Sequence, residues 1–324
     1  MKKGLASVSG ESEHPDDPSE SPPVYGLLSV VGRAREMEDE ISVKMNLCRP
    51  EINGYQPVHY FGLFDGHGGR QVSALCKENM HVIIEEELML VKDTAERLTG
   101  GEGEAVELWK KAISKTFERM DAMAIMLCGC SDLENFNVCR HHPRLSVVGS
   151  TAMVVLLTHD YIIVANCGDS RAILCRNGNT VQLSVDHKPD REDERARIEA
   201  LGGKVLFVAN AARVEGVLSI SRAIGDRFLK PMVTSEPEYM FMKRDTKDRC
   251  LILGSDGLWN VVPNELCCAM VHNCPQEDVN HGLGVTGQRV GSRDMLAAAG
   301  LLVRLAMGRR STENISVLVV DLRM

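Results

Sequence analysis

Short apolar runs that stop at glycines or acidic residues recur along the chain from residue 25 onward. Their β-branched and aromatic content predicts strands at residues 25–32, 41–43, 58–64, 151–158, 161–167, 170–175, 180–183, 205–207, 250–254 and 315–322. Tight-turn signals, His159-Asp160 and Asn177-Gly178, join the strands between residues 151 and 183. We therefore expect an antiparallel meander there, with Asp169 in a corner between two of its strands.

Helical spacing of apolar residues predicts two long helices, one directly after Gly69 and one from about Glu104. The second has a stripe that we interpret as core packing: Trp109, Ile113, Phe117 and Met120. Two shorter helices are predicted, one over residues 192–201 with Asp190 as its N-cap and one capped by Asn264. Gly202 and Gly203 end the first of these, and an Ala/Leu-rich helix spans residues 296–307.

The first 24 residues differ in composition from the rest of the chain. Residues 11–23, ESEHPDDPSESPP, are acidic and rich in Ser and Pro, and they have too little apolar surface to order themselves. We predict a disordered tail over residues 1–24, with either no role or a regulatory or targeting one, and a single folded domain over residues 25–324. A chain of 324 residues is long enough to bury a sizeable core.

Charge and composition exclude several function classes. Lys and Arg total 37 against 45 Asp and Glu, and the net charge of −8 predicts no basic face for nucleic acid or anionic lipid. No apolar run approaches the ~20 residues of a membrane span. With no exposed apolar stripe evident, we expect a monomer.

The cysteines are odd in number, eleven, and several lie in apolar strands, among them Cys167, Cys175 and Cys250. This pattern favours free thiols and a reducing compartment, nucleus or cytoplasm. A further group, Cys128, Cys130, Cys139, His141 and His142, fits none of the common zinc spacings, so we interpret it as a surface loop.

Two apolar strands end on Asp-Gly, at Asp65-Gly66 and at Asp256-Gly257. A carboxylate at a strand end, with glycines that let the main chain come close, can present oxygen ligands to a metal ion. A Gly-rich turn after a strand would explain the first of these stretches alone. The second makes a metal centre the better interpretation.

Further acids stand at strand ends in the same manner. With the two already named they make six: Glu38, Asp39, Asp65, Asp169, Asp256 and Glu313. We place Glu38 and Asp39 within a strand pair, where neighbouring residues face opposite ways and have different roles. Clustered carboxylates repel unless a cation lies between them, and an all-oxygen set suits Mg²⁺ or Mn²⁺.

Two such ions would activate water for in-line attack on phosphorus. His67 could protonate the leaving oxygen, and Arg33 or Arg35 could hold the phosphate. The residues alone thus predict a binuclear metal phosphoesterase without naming its substrate.

An ordered series of motifs carries a resemblance: REMED (35–39), FDGHGG (64–69), GSTA (149–152), NCGDSR (166–171), DHKPDREDERARIEALGG (186–203), SRAIGDRFLKP (221–231), SDGLW (255–259) and ENISVLVVDL (313–322). The chain resembles the type 2C, metal-dependent serine/threonine protein phosphatases over essentially everything after residue 25. The residues of the two longest motifs are most similar to those of the plant group that acts in abscisic acid signalling (clade A).

The resemblance implies an α-β-β-α sandwich, an α+β fold of two antiparallel sheets flanked by helices, as one catalytic domain. It implies that Asp65 bridges two ions, with Glu38 and the Gly66 carbonyl on one and Asp256 and Glu313 on the other. Asp169 would hold a weaker third ion, Asp39 would hold water at the metals, and His67 would be the general acid. Phosphorylated kinases of the hormone pathway would be the substrates.

Four positions depart from the family pattern. Ala34 stands where the family has its phosphate-gripping arginine, so Arg33 and Arg35 both remain candidates. Glu313 replaces an Asp, and Asn260 replaces an acid at the third-metal site. Ala209 replaces the Trp that hormone-bound receptors engage, so we expect weakened inhibition by abscisic acid receptors.

Two alternatives compete with a protein phosphatase. These departures would also suit a pseudophosphatase, a binding module that sequesters phosphorylated kinases without turnover, although Asp65, His67 and Asp256 argue for catalysis. A phosphatase for small molecules or another phosphodiester is the other alternative, and the acidic charge balance disfavours nucleic acid.

Overall fold

The computed structural model describes residues 22–91, 102–128, 147–274 and 289–323. Its strands are β1 Tyr25–Val30, β2 Glu40–Cys48, β3 Val58–Phe64, β4 Gly66–His67, β5 Gly149–Ser150, β6 Ala152–Leu157, β7 Tyr161–Cys167, β8 Arg171–Arg176, β9 Asn179–Gln182, β10 Val205–Val208, β11 Ala211–Val214, β12 Ile224–Gly225, β13 Glu238–Lys243, β14 Asp248–Gly254, β15 Arg289–Gly291 and β16 Ile315–Asp321. The α-helices are α1 Gln71–Leu90, α2 Glu102–Ile125, α3 Glu192–Ala200, α4 Asp256–Trp259, α5 Asn264–His272 and α6 Arg293–Gly308.

Two antiparallel sheets contain most of these strands. The first sheet has the order β15-β1-β16-β14-β8-β9, and the second has the order β13-β7-β6-β3-β2. Their inner faces pack together through fully buried residues such as Phe61 and Leu63 of the second sheet and Leu251 and Leu318 of the first. Burial of this apolar surface is the main force that holds the sheets face to face.

Helices cover the outer face of each sheet. Met80 and Ile84 of α1 and the predicted stripe of α2, including Trp109 and Phe117, form one cluster with Tyr60 of β3. On the other side α6 packs on β1 so closely that a Cβ at Gly26 would lie 2.2 Å from the Leu296 nitrogen. The predicted α-β-β-α sandwich is therefore confirmed, and the stripe is core.

The pairing of neighbouring strands corrects two predictions. β1 pairs with β15 and β16, whereas β2 pairs with β3, so Glu38 and Asp39 do not lie within a strand pair. Similarly, β6 and β7 belong to the second sheet while β8 and β9 belong to the first, so residues 151–183 form two hairpins and no single meander. In both places the segment that carries the acids crosses from one sheet to the other.

Two predicted helix caps are wrong. α3 has Arg191 as its N-cap with no side-chain cap bond, and Asp190 lies outside that position. Asn264 is the first residue of α5, and its side-chain oxygen accepts a 2.7 Å hydrogen bond from Arg171. That arginine also pairs with Asp186, so tertiary contacts have replaced the local cap. The predicted end of α3 at Gly202 is confirmed by its φ of 83°.

Cys175 and Cys268 form a disulfide between β8 and α5, with their Cα atoms 5.6 Å apart. The expectation that the cysteines are all thiols is therefore wrong for this pair, because strand and helix place the two side chains in one core cluster. Cys167 and Cys250 remain buried thiols.

Two sequence interpretations fall on residues that the structure does not describe. Cys130, Cys139, His141 and His142 lie outside the described residues, as does the tail up to residue 21. Within the described part of the chain, no helix is both long enough and apolar enough to cross a membrane.

Candidate active site

Five segments from the two sheets meet at one end of the sandwich. Asp65 directly follows β3, Asp169 lies between β7 and β8, and Asp256 begins α4 just after β14. Glu38 precedes β2, and Glu313 stands two residues before β16. The crossing connections described above thus bring acids from distant parts of the sequence together.

An open cavity of about 320 Å³ lies at this end. Its walls include Glu38, Asp65, Gly66, Glu313 and Arg35. The structure therefore gathers four of the six residues predicted to hold metal, along with one of the two candidate arginines. The other two predicted metal residues, Asp169 and Asp256, join the cluster through Asp65, because carboxylate oxygens of the three aspartates lie within 4.8 Å of one another.

Burial and mutual repulsion within this cluster both favour a cation between its carboxylates. Burial, followed by the charges of Asp39, Asp256 and Asp169, holds the pKa of Asp65 well above its usual range. Burial and the Asp169 charge likewise raise the pKa of Asp256. A divalent ion between the carboxylates would relieve the repulsion, and an all-oxygen donor set fits Mg²⁺ or Mn²⁺.

Asp39 gives a second sign of a missing polar partner. It is only 3% exposed, and neither carboxylate oxygen has a partner in good hydrogen-bond geometry among the described residues, although the Ser316 and Ser255 hydroxyls are near enough to lower its pKa. Burial is the main cause of its raised pKa. Buried carboxylates are normally satisfied by a donor or a metal, so these two oxygens fit a site with ions and water.

Gly66 brings the main chain close to the acids. A Cβ at this position would lie 2.6 Å from the Glu38 carbonyl oxygen and 2.7 Å from the Ser73 hydroxyl. Ser73 in turn donates a 2.5 Å hydrogen bond to the Glu38 carbonyl. Only glycine fits here, which explains the Asp-Gly pattern that the sequence shows.

Asn314 positions the Glu38 segment, a role that sequence reasoning missed. Its side-chain nitrogen donates to the carbonyls of Val31 and Glu36, both at 2.9 Å, and its oxygen accepts from the Glu38 backbone N–H at 2.8 Å. One amide therefore holds the crossing segment against β16. Its position next to Glu313 was the only available signal.

Asp226 holds His67 in place, a role that the sequence analysis did not predict. The His67 Nε2 atom and the Asp226 carboxylate are 2.8 Å apart, and Asp226 is 2% exposed. Although burial lowers the pKa of His67, the charge and hydrogen bond of Asp226 outweigh it and raise the pKa. Gly149 leaves room for the pair, since a Cβ there would lie 2.0 Å from the carboxylate.

The two candidate arginines differ in position. Both side chains are exposed, but Arg35 lines the cavity, whereas Arg33 donates to the Ser311 carbonyl at 3.4 Å. Of the two candidates, Arg35 is therefore the arginine that lies in the cavity wall with the acids.

Comparison with known proteins agrees with this geometry. The family model described as protein phosphatase 2C matches residues 24–315. Probable protein phosphatase 2C 75 of Arabidopsis thaliana is 50% identical over 332 residues, which cover 98% of this chain and 78% of that protein. Protein phosphatase 2C 50 of Oryza sativa subsp. japonica is 41% identical over 93% of this chain and 83% of its own length.

Two solved structures share the fold at lower identity. A serine-threonine phosphatase 2C from Toxoplasma gondii gives a TM-score of 0.67 at 20% identity, covering 93% of this chain and 96% of that one. A C. elegans sex determining protein gives 0.71 at 22% identity, covering 94% of this chain and 65% of that one.

The chain belongs to the protein phosphatase 2C family. It is a serine/threonine protein phosphatase that acts on phosphoproteins, from a metal-dependent family whose acidic cluster is present here. The quoted sequence relatives are plant proteins, in agreement with a plant origin.

Proposed function

We propose that this phosphatase works with two Mg²⁺ or Mn²⁺ ions held by the acids at the sandwich end. The observation that carries the proposal is the convergence of Asp65, Asp169 and Asp256 within 4.8 Å, beside the unpartnered oxygens of Asp39. Bound there, the ions would activate water for in-line attack and offset the charge of the phosphoryl group.

The side chains then have separate tasks. Asp65 would be a ligand of both ions, Glu38 and the Gly66 carbonyl would complete one site, and Asp256 and Glu313 would complete the other. Asp39 would orient the attacking water from its buried position.

Two further groups act on the substrate itself. His67, oriented by Asp226, gives its proton to the leaving seryl or threonyl oxygen. Arg35 holds the phosphate oxygens, because Ala34 occupies the position of the family's phosphate-gripping arginine.

The proposed substrates are phosphorylated protein kinases of abscisic acid signalling, on which the enzyme acts as a negative regulator in the nucleus or cytoplasm. The two long motifs at residues 186–203 and 221–231 support this assignment, because their wording is most similar to that plant group. A phosphopeptide panel tests it, and failure to dephosphorylate any activation loop of such kinases would refute the substrate assignment.

Phosphate release from a phosphothreonine peptide tests the chemistry. We expect turnover with Mn²⁺, loss of turnover with chelator, and loss of turnover in Asp65→Ala even with excess metal, because the shared ligand is gone. Turnover that persists in both conditions would refute the metal mechanism. Peptide binding without any turnover in the wild type would favour a binding module.

The hormone receptors should inhibit this enzyme weakly. Ala209 is exposed at the turn of the β10–β11 hairpin, where its φ of 51° disfavours a large side chain, and no indole is present for a receptor to engage. A phosphatase assay with hormone and receptor checks this, and full inhibition of the wild-type chain would refute it.

A further inference from the structure

Asp169 already has a cationic partner from the protein itself. The Lys188 ammonium donates a short hydrogen bond to the Asp169 carboxylate, with which it forms an ion pair. Asp169 is the member of the aspartate cluster that the family resemblance assigns to a third, weaker ion. A positive charge of the protein therefore already pairs with the carboxylate that the resemblance assigns to that ion.

The backbone holds Lys188 in this place. The His187 N–H donates to the Gly168 carbonyl at 3.0 Å, and the Gly168 N–H donates to the His187 ring at 3.0 Å. Asn166 adds a 3.1 Å bond to the Gly168 carbonyl, and His187 is fully buried. These bonds join the residue before Asp169 to the residue before Lys188. They therefore hold the two backbone segments side by side, which brings the Lys188 side chain within reach of Asp169.

The other side chain that the resemblance assigns to the third ion is Asn260, an amide in place of an acid. Asn260 is neutral, and its side-chain nitrogen donates a 3.1 Å hydrogen bond to the Asp256 carboxylate. Hard divalent cations favour carboxylate oxygens, and an amide supplies only a carbonyl oxygen without charge. A third divalent ion would thus have to displace an ammonium and would gain a weaker ligand.

We propose that the Lys188 ammonium takes the place of a third divalent cation at Asp169, so that this chain binds two divalent ions and carries its third positive charge covalently. The inference rests on the proposed two-ion function. Lys188 acts as a positioning residue that fixes the Asp169 carboxylate near Asp65 and Asp256.

Direct counting of bound Mn²⁺ by equilibrium dialysis tests the proposal on the full chain. Lys188→Met keeps the unbranched side chain and removes the charge, while Asn260→Asp restores an acid. We expect two ions per chain in the wild type and in Asn260→Asp, and three in the double variant. The spectrum of bound Mn²⁺ by electron paramagnetic resonance gives a second readout that does not depend on activity.

The matched control is Lys247→Met, an exposed lysine between β13 and β14, which should still bind two ions. Three ions in the wild type, or two in a folded double variant, would overturn the proposal. Three ions in Asn260→Asp alone would also overturn it, so the test survives failure of the double variant to fold. Fewer than two ions in the wild type would refute the two-ion centre itself, together with this inference.

Discussion

Arg35 and Arg33 lie two positions apart, yet their side chains have different surroundings. Arg35 faces the cavity that contains Glu38, Asp65 and Glu313, while Arg33 donates to the Ser311 carbonyl. A guanidinium can hold two phosphate oxygens at once, and only a side chain that lines the cavity can reach a phosphate bound there.

Replacement of Arg35 by Ala should therefore lower kcat/KM for a phosphothreonine peptide by about 10- to 100-fold, the usual value of a charge-assisted hydrogen bond. Steady-state kinetics at saturating Mn²⁺ would measure it. Arg33→Ala is the matched control, for which we expect little change. Equal losses in the two variants, or a loss confined to Arg33→Ala, would contradict the assignment of Arg35.

At this scale the sequence identified the acids and His67 as candidates but not the residues that hold them. The acids could be found because each follows or precedes an apolar strand, a pattern that is visible locally. Asn314 and Asp226 make their decisive contacts with residues 276 to 283 and 159 positions away, respectively. No local spacing encodes such partners, so only the folded chain shows them.

Among the elements, α3 is anchored by a buried carboxylate. Glu194 is 1% exposed and accepts hydrogen bonds from Arg222 at 2.6 and 3.0 Å and from Arg197 at 2.8 Å. Burial alone would raise the pKa of Glu194, but the two arginines outweigh it and hold the pKa far below its usual range. The ion pair between Glu194 and Arg222 joins α3 to the segment that carries Asp226.

Replacement of Glu194 by Gln should cost about 3 kcal/mol of unfolding free energy, because it removes the buried carboxylate that two half-buried arginines share and leaves Arg222 only its 3.5 Å pair with Glu238. Chemical denaturation at neutral pH measures this loss. Glu199→Gln is the control: that glutamate pairs with Arg195 at an exposed surface of the same helix, and no measurable change is expected.

The same variant has a defined pH dependence. The folded-state pKa of Glu194 is depressed, so its contribution is complete above the unfolded value of about 4.3 and is lost as the pH falls toward the folded value. The stability difference between wild type and Glu194→Gln should therefore be constant near neutrality and shrink below about pH 4.3. A difference that grows with acid would contradict the ion pair.

Most strand and helix positions were predicted at the element scale, although β13 was missed, but the partners of the strands were not. Residues 25–43 and 151–183 each look like hairpin ribbons, because the sequence shows strands separated by short connections. The Asn177-Gly178 turn does join paired strands. The connection over residues 168–170 is only one residue longer and crosses to the other sheet, and turn propensity does not distinguish the two cases.

For the whole molecule, the ordered motifs predicted the sandwich, and burial confirms it in three layers of packing. The apolar period alone predicted many strands and a few helices, which is compatible with several α+β folds. Strand order in each sheet depends on contacts between distant segments, such as β1 with β16. The family resemblance supplied that information, and local patterns could not.

The position of β16 has a consequence for how the enzyme is made. This strand lies between β1 and β14 in the first sheet, and Glu313 enters the cavity just before it. A ribosome that has delivered residues up to about 300 has supplied Glu38, Asp65 and Asp256, but the sheet still lacks an interior strand. The part of the cavity wall that Glu313 supplies and the interior strand that follows it therefore arrive together. We expect no complete acidic cavity before β16 has been delivered and paired.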